Sequence, residues 1–336
     1  MRKKLLLLMT GLMCIFMLAA CGSKSQDDVV KELNGKLGDL SGYKVNAKMT
    51  LKMGSDSQVY NVEIWHKDPT FYRVNLKNTE KDQSQMILRN EQGVFVLTPA
   101  LNKSFRFQSD WPQNSSQAYL YESLIKDIVA DKSAKFSTTK DFYVFETKTR
   151  YQNNSMLPIQ EIKLNKKDLS PAVVKVMDPD RNPLVTVEFS KVKFNASFDK
   201  DAFDMKKNMT RAQLNLPAMA NGGDKAFTVK YPTFDLKGTK LIGEKEVKIQ
   251  NGKRVVLTYD GKKSFTLVQE KVTVKEATAP TYVEGDIVDL GATIGAVSGH
   301  SISWSHAGVD YMIASKNLSK EELIEVAQSV QGDAVK

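Results

Sequence analysis

The sequence predicts a mainly β protein of the α+β class, followed by a small C-terminal α+β domain. Two observations support this prediction. From Tyr43 to about Phe107, apolar and polar residues alternate with a period of two in short segments separated by turns, which is typical of an antiparallel meander with one dry face. The period changes to that of a helix at only a few places, before this run, in mid-chain and near the C-terminal end.

The chain begins with a segment typical of a bacterial lipoprotein signal. Residues 2–4 are cationic, an apolar run extends from Leu5 to Ala20, and small residues precede Cys21. This order predicts removal of residues 1–20 and attachment of a lipid to the sulfur of Cys21. The alternatives are an ordinary membrane anchor, for which the run is short, and a secreted protein with an incidental cysteine. We expect an extracytoplasmic protein that is lipid-anchored to the cell membrane.

Length, net charge and cysteine count limit the domain number, the partners and the chemistry that the mature chain can have. Removing the 20-residue signal from 336 residues leaves 316, which favours two domains. The net charge of +9 includes three cationic signal residues, and the remaining basic residues are scattered, which argues against a nucleic-acid partner and favours an anionic membrane or wall surface. The two cysteines are Cys14, in the signal, and Cys21, so the domains contain no disulfide, thiolate metal site or cysteine nucleophile.

The first domain is expected over residues 29–207, after a polar tether at residues 21–28. An amphipathic helix is predicted at residues 27–40 and a second helix at residues 115–130. The predicted strands are residues 43–53, 59–67, 71–77, 85–90, 94–98, 103–108, 142–149, 159–165, 172–177 and 184–194.

A C-terminal α+β domain is expected over residues 226–336, because residues 208–225 show no periodicity and are predicted to be a linker. Ser319 and Glu322 form a capping-box pattern at the start of a terminal helix. The predicted strands are residues 247–250, 254–259, 264–270, 301–304 and 309–314.

Several motifs, in their order along the chain, resemble the LolA/LolB-like lipoprotein-carrier fold. Residues 66–74 look like the Pro-x-x-Phe-Arg segment of that family, and residues 187–195 followed by Phe203 look like its closing strand. The resemblance covers roughly residues 25–207 and is closest to the LolA-like sporulation lipoproteins of Gram-positive spore formers, the YdcC group. It implies a curved antiparallel incomplete β-barrel whose concave apolar face lies under a helical lid and holds acyl chains.

The resemblance also implies which residues bind the ligand, expected to be an acyl chain, a lipoprotein lipid or a peptide segment. Some of them, including three methionines, fit an ordinary core equally well. The expected apolar lining is Met49, Leu51, Met53, Val62, Ile64, Val74, Leu76, Met86 and Leu88.

Arg73 lies one residue later than the arginine that holds the lid shut in the carriers. Strand alternation places it opposite Tyr72 and Val74, as a solvated residue. If the sheet curves as in the carriers, Arg73 instead donates hydrogen bonds to carbonyls of the lid near residues 111–130. The two alternatives remain open at the level of the sequence.

No catalytic motif stands out, and we expect no enzyme activity, cofactor or metal. His66, His300 and His306 have no carboxylate at ligand-like spacing, and nothing singles out a glycosidase-like pair among the many Asp and Glu residues. Two functions remain. In the first, the half-barrel binds an apolar ligand in envelope or sporulation processes. In the second, the protein is a scaffold that docks an envelope, spore-cortex or germination protein.

Overall fold

The structure is a computed structural model that describes residues 24–53, 56–80, 84–107, 109–113, 116–151, 156–214, 228–249, 252–271, 280–283, 285–290, 293–306 and 308–330. The predicted signal, Cys21, the side chain of Met53 and residues 215–225 of the predicted linker lie outside this description. Within the described residues, no helix combines the length and the apolar character needed to cross a membrane.

The described chain consists of four α-helices, one short 3-10 helix at Pro99–Leu101 and nineteen strands. The helices are α1 (Gln26–Gly38), α2 (Tyr121–Ala130), α3 (Met205–Leu214) and α4 (Lys320–Ser329). The strands are β1 (Gly42–Met53), β2 (Asp56–Lys67), β3 (Phe71–Asn78), β4 (Ser84–Asn90), β5 (Gly93–Thr98), β6 (Lys103–Phe107), β7 (Lys135–Thr138), β8 (Phe142–Lys148), β9 (Ile159–Asn165), β10 (Pro171–Met177), β11 (Pro183–Phe194), β12 (Thr239–Ile249), β13 (Gly252–Gly261), β14 (Phe265–Lys271), β15 (Thr281–Val283), β16 (Asp286–Asp289), β17 (Ile294–Val297), β18 (Ser301–His306) and β19 (Val309–Ala314).

Two sheets organise these strands. The first has twelve strands in the order β15-β6-β5-β4-β3-β2-β1-β11-β10-β9-β8-β7, and the second has seven in the order β12-β13-β14-β19-β18-β17-β16. All neighbouring strands are antiparallel except β15 and β6, which run parallel. The first sheet stays open, so the prediction of a mainly β fold built on an incomplete antiparallel barrel is confirmed.

Helices α1 and α2 cover one face of the first sheet, which we call the inner face. Val29 and Leu33 of α1 and Leu124 of α2 are buried in a core with alternate residues of β1 to β3. Helix α1 begins after Ser25, whose side chain accepts a hydrogen bond from the backbone N–H of Asp28 in a capping box. The predicted helical lid is therefore present.

Helix α2 starts at Tyr121 rather than at residue 115, where the sequence predicted it. The hydroxyl of Ser116 donates to Asp127 and accepts from the backbone N–H of Arg150, and the backbone N–H of Gln117 donates to Ser123. These bonds hold the preceding residues in turns, because the side chains compete with helical backbone pairing.

Helix α3 corrects the prediction that residues 208–225 are a linker, since its last seven residues fall in that range. Met205, Met209 and Ala212 are spaced as on one helical face and pack against the opposite side of the first sheet, which we call the outer face. Three small or flexible apolar residues among polar ones are a weak periodic signal, which explains the error.

The C-terminal part of the chain completes the first sheet as well as forming the second. Strand β15 adds to β6, and Ile287, Ile294 and Ala296 are buried in the first core. Gly285 joins the two parts at a φ of +122°, and a Cβ at this position would lie 2.4 Å from the carbonyl oxygen of Val297. Strands β15 to β17, which the sequence did not predict, therefore connect the two sheets.

A second core lies between the second sheet and α4. Leu257, Leu267 and Ile313 from the sheet pack against Leu323 and Val326 of the helix. The predicted capping box of Ser319 and Glu322 is confirmed at the start of α4.

Candidate functional site

The inner face of the first sheet carries most of the predicted lining residues, and the protein's own helices fill it. Strand pairing places the six residues of β1 to β3 side by side, and all are buried with residues of α1 and α2. These residues are Met49, Leu51, Val62, Ile64, Val74 and Leu76.

Met86 and Leu88 lie on the outer face instead. In the β3–β4 register, Leu88 pairs with Arg73 and Met86 with Asn75, so their side chains point away from the inner face. They are buried under Phe203 and α3. The expectation that all nine residues line one surface is therefore wrong for these two, because Ile87 takes the inner position of β4.

Arg73 lies on the outer face and binds α3, not the lid helix. Its Nε donates to Oδ1 of Asn208 at 2.8 Å, and its Nη1 donates to Oε2 of Glu63 at 2.7 Å. The guanidinium also lies 4.2 Å from the ring centre of Trp65. Neither sequence-based alternative for Arg73 is correct: its side chain is only 14% exposed, and its partners are Glu63 and Trp65 on β2 and Asn208 on α3, none of them in the lid.

The arginine that holds the start of the lid is Arg89, which the sequence analysis did not select. It pairs with Tyr72 across β3 and β4, so it shares the inner face. Its guanidinium donates to the backbone carbonyl of Trp111, and Trp111 packs edge-on against Tyr72. The sequence could have predicted this position, because residues two apart in a strand point to the same face, and Arg89 follows Ile87 by two residues.

A buried polar cluster surrounds Glu122 at the first turn of α2. The hydroxyl of Tyr43 donates to Oε2 of Glu122 at 2.6 Å. His66 stacks on Tyr72 with ring centres 4.4 Å apart, and its Nδ1 lies 3.1 Å from the carbonyl oxygen of Phe71. Burial, followed by the charge of Glu122, raises the pKa of both Tyr43 and Tyr72 well above the usual range. The cluster keeps both tyrosines neutral and attaches α2 to the sheet.

Asp127 forms a second buried anchor on α2. Its carboxylate accepts hydrogen bonds from the hydroxyl of Ser116 at 2.8 Å and from Nε2 of Gln160 at 2.6 Å, and it pairs with the guanidinium of Arg150. These three donors replace hydrogen bonds to water that the carboxylate loses on burial, which offsets the cost of burying it.

The histidines do not assemble into a metal site. His300 directly precedes β18 and His306 is its last residue, so the two side chains do not converge. Among the described residues, no three His, Cys, Asp or Glu side chains come close enough to hold a metal ion.

Among the described residues, a cleft of about 440 Å³ lies between the two sheets. Its first wall comes from the inner face of β4 to β6, and its second wall comes from the face of the second sheet opposite α4. The apolar lining includes Val96, Phe105, Phe107, Val256, Val268, Val283, Ile294, Ala296 and Met312.

Of the predicted lining residues whose side chains the structure describes, none contributes to this cleft. Consecutive apolar residues in β13 and β14, such as Val255-Val256 and Leu267-Val268, place apolar side chains on both faces of the second sheet. A strand that is apolar on both faces is typical of a sheet covered on both sides, so the signal was present.

Polar contacts tie the two walls of the cleft together. Nζ of Lys103 in β6 lies 2.5 Å from Oδ2 of Asp310 in β19. Oε1 of Gln85 in β4 accepts a hydrogen bond from the backbone N–H of Ile294 at 2.8 Å. The cleft is therefore a defined part of the fold, bounded by residues far apart in the sequence.

The described residues define a protein with an open antiparallel sheet under a helical lid, extended by a second sheet across an apolar cleft. The sequence model for "Sporulation protein YdcC-like" matches residues 2–203. Sporulation protein YdcC of Bacillus subtilis (strain 168) is 55% identical over 335 residues, which cover 100% of this chain and 99% of that protein. The chain therefore belongs to the YdcC-like sporulation protein family.

Solved structures show more distant likeness. The MucA/MucB complex of Pseudomonas aeruginosa contains a chain with 13% identity and a TM-score of 0.32, covering 90% of this chain and 100% of that chain. A putative outer membrane lipoprotein-sorting protein domain from Vibrio parahaemolyticus has 14% identity and a TM-score of 0.33, covering 56% of this chain and 100% of that chain. Likeness at this level carries no conclusion about function.

Proposed function

We propose that the protein is a non-catalytic lipoprotein, anchored through Cys21 to the outer face of the cell membrane, that binds an acyl chain in the cleft between its sheets. The observation that carries this proposal is the contrast between two apolar surfaces. The inner face under the lid is occupied by Leu33, Leu124 and other core residues, whereas the cleft encloses about 440 Å³. That volume falls within the range of small-molecule sites, which are concave and mostly apolar.

An acyl chain fits these walls energetically. Phe105, Phe107 and Val268 offer apolar contact on both sides of the cleft, and each buried methylene of a ligand contributes about 0.8 kcal/mol. The proposed ligand site is therefore the junction of the two sheets, in place of the lidded half-barrel that the resemblance implies.

Binding is tested with the unlipidated chain of residues 22–336, purified without detergent, and a fluorescent fatty acid. Val268 lines the cleft, so Val268→Trp should fill it and weaken binding by about tenfold or more, the equivalent of two lost methylene contacts. Val173→Trp is the matched control, because Val173 pairs with Glu188 and Lys163 on the outer face. An absence of saturable binding, or equal losses in the two variants, would rule out the cleft as an acyl-chain site.

The lipid anchor is tested separately at Cys21. Cys21→Ala removes the sulfur that accepts the lipid, so we expect unprocessed precursor or released protein in place of the mature membrane-bound form. Membrane fractionation with metabolic labelling by a palmitate analogue measures both steps. Unchanged labelling and processing in Cys21→Ala would contradict the anchor.

A scaffold that docks an envelope or spore protein is the second candidate, and a specific observation favours it. Strand β12 is the edge of the second sheet, and its Leu241 and Ile242 are 40% and 65% exposed. An exposed edge strand can accept a strand from a partner. Deleting residues 226–336 would not test this, because β15 and Ile287 complete the first sheet and its core.

The two candidates are separated in sporulating cells by point variants. Ile242→Lys alters the exposed edge, and Val268→Trp fills the cleft. A spore defect in Ile242→Lys alone supports the scaffold, and a defect in Val268→Trp alone supports ligand binding.

A further inference from the structure

The face of the second sheet that lines the cleft is divided into rows by its strand register. Arg254 pairs with Glu270, Glu270 pairs with Asp310, and Asp310 pairs with Ser305, which forms one polar row across β13, β14, β19 and β18. The next row on the same face of the second sheet is mainly apolar and consists of Val256, Val268, Met312, Ser303 and Ala296. The cleft therefore has an apolar part and one charged end.

The charged end is completed from the opposite wall. Lys103 of β6 reaches across to Asp310, while the next residues of the same strand face, Phe105 and Phe107, line the apolar part. A molecule in the cleft would place its apolar portion against the phenylalanines and its other end at the polar row.

The walls of the cleft favour an alkyl chain over a peptide. Strands β5, β6, β13, β14, β18 and β19 each have a neighbour on both sides, so their backbone N–H and C=O groups are engaged within the sheets. A peptide in this cleft would bury backbone groups without partners, which is unfavourable, whereas an alkyl chain has no such groups.

The polar row, together with Lys103 of the opposite wall, carries balanced charge. Arg254 pairs with Glu270 through Nη2 and Oε2 at 2.6 Å, and Lys103 pairs with Asp310 at 2.5 Å. All four side chains are between 27% and 44% exposed, so a ligand can reach them. A purely anionic head group would face two carboxylates, and a purely cationic one would face two cations. A zwitterionic head group meets a partner for each of its charges.

We infer that the cleft is the site of a single-chain zwitterionic lipid of the lysophospholipid class, with its alkyl chain between the sheets. Its head group lies on Arg254, Glu270 and Asp310 of the polar row and on Lys103 of the opposite wall. This inference rests on the proposed function, because it specifies the ligand of the same cleft. The anion of the head group lies at the two cations, and its ammonium lies at the two carboxylates.

The test compares four amphiphiles that each have a twelve-carbon chain and differ in the head group. Dodecylphosphocholine, dodecanoate, dodecyltrimethylammonium and dodecyl maltoside compete, below their micelle concentrations, with a fluorescent fatty acid on residues 22–336. We expect the zwitterion to bind about tenfold more tightly than each of the other three, a difference typical of one charge-assisted hydrogen bond. Equal binding of the four head groups would overturn the inference and leave the proposed function standing. Binding of none of them would overturn both.

Double variants that change the charge at the cleft provide a second test. This test compares the order in which the four head groups bind, so it does not depend on the absolute affinity. Lys103→Gln with Arg254→Gln leaves two carboxylates, so the preference should move to dodecyltrimethylammonium. Glu270→Gln with Asp310→Asn leaves two cations, so it should move to dodecanoate. The matched control, Lys163→Gln with Lys175→Gln on the outer face, should keep the wild-type preference. An unchanged order of head groups in both cleft variants contradicts the assignment of the polar row.

Discussion

Individual buried acids hold the lid of this protein. Glu122 and Asp127 both lie on α2, and both are buried. Tyr43, Ser116 and Gln160 donate to them from separate parts of the first domain. Because a buried carboxylate is strongly destabilising without donors, these bonds fix the position of the helix rather than add stability through charge alone.

Tyr43→Phe should destabilise the protein by about 1–3 kcal/mol, because it removes the hydroxyl that donates to the buried Glu122 and keeps the ring. Urea unfolding measures the change in the free energy of unfolding. Tyr231→Phe is the control, since Tyr231 donates to Glu244 at an exposed site, and its effect should stay within about 0.5 kcal/mol. An equal loss of unfolding free energy in the two variants would show that the hydrogen bond from Tyr43 to Glu122 does not stabilise the fold.

At the scale of elements, two arginines on adjacent strands attach other segments of the chain to opposite faces of the first sheet, α3 in one case and the turn at Trp111 in the other. Arg73 of β3 binds Asn208 of α3 on the outer face. Arg89 of β4 binds the carbonyl of Trp111, ahead of α2, on the inner face. The local stability of each segment should therefore depend on its own arginine.

Arg73→Leu should raise amide exchange in α3 by about tenfold, because one charge-assisted hydrogen bond to Asn208 is lost, and should leave α2 unchanged. Arg89→Leu is the matched variant and should raise exchange around Trp111 and the start of α2 instead. Hydrogen exchange with mass spectrometry resolves these segments. Faster amide exchange of α2 in Arg73→Leu would instead support the role that the resemblance implies for Arg73, which is to hold the lid shut.

At the scale of the whole molecule, the two sheets share a segment. Residues 281–297 add β15 to the first sheet, bury Ile287 and Ile294 in its core, and contribute β16 and β17 to the second sheet. Loss of the second sheet would therefore remove part of the first core, which couples the stabilities of the two parts.

We expect a single cooperative unfolding transition rather than two. Trp111 is buried in the first core and Trp304 in the second, so each reports on one part. Fluorescence of Trp304→Phe and of Trp111→Phe, each with Trp65 retained, should give the same denaturant midpoint as far-UV circular dichroism after correction for each variant's stability. Separate midpoints within one variant would indicate that the two parts unfold independently.

Stability should fall as the pH rises above about 10, the usual pKa of tyrosine in an unfolded chain. Burial raises the pKa of Tyr60 and Tyr311 to about 12 and raises those of Tyr43 and Tyr119 further. The folded state thus holds these protons more tightly, so the stabilisation is complete below the unfolded pKa and is lost as the unfolded chain ionises.

Thermal melts across the alkaline range measure this loss, and absorbance near 295 nm follows tyrosine ionisation. Tyr43→Phe should show a shallower decline in melting temperature above pH of about 10, because one raised pKa is removed. A melting temperature independent of pH in this range would contradict the effect of burial.

The sequence by itself determined the features that depend on local spacing. The alternation in β1 to β3 predicted the buried inner face correctly, since side chains alternate between faces of a strand whatever lies beyond it. The capping box at Ser319 also followed from local spacing, because its partners are three residues apart. The family resemblance predicted the open sheet and its lid.

Only the tertiary structure decided which faces meet and what occupies them. Arg73 and Asn208 are 135 positions apart, and Lys103 and Asp310 are 207 positions apart, so no local pattern relates them. The lining of the cleft likewise depends on how the second sheet stands against β4 to β6. The cleft exists because two apolar faces are brought together by long-range contacts that no short period in the sequence records.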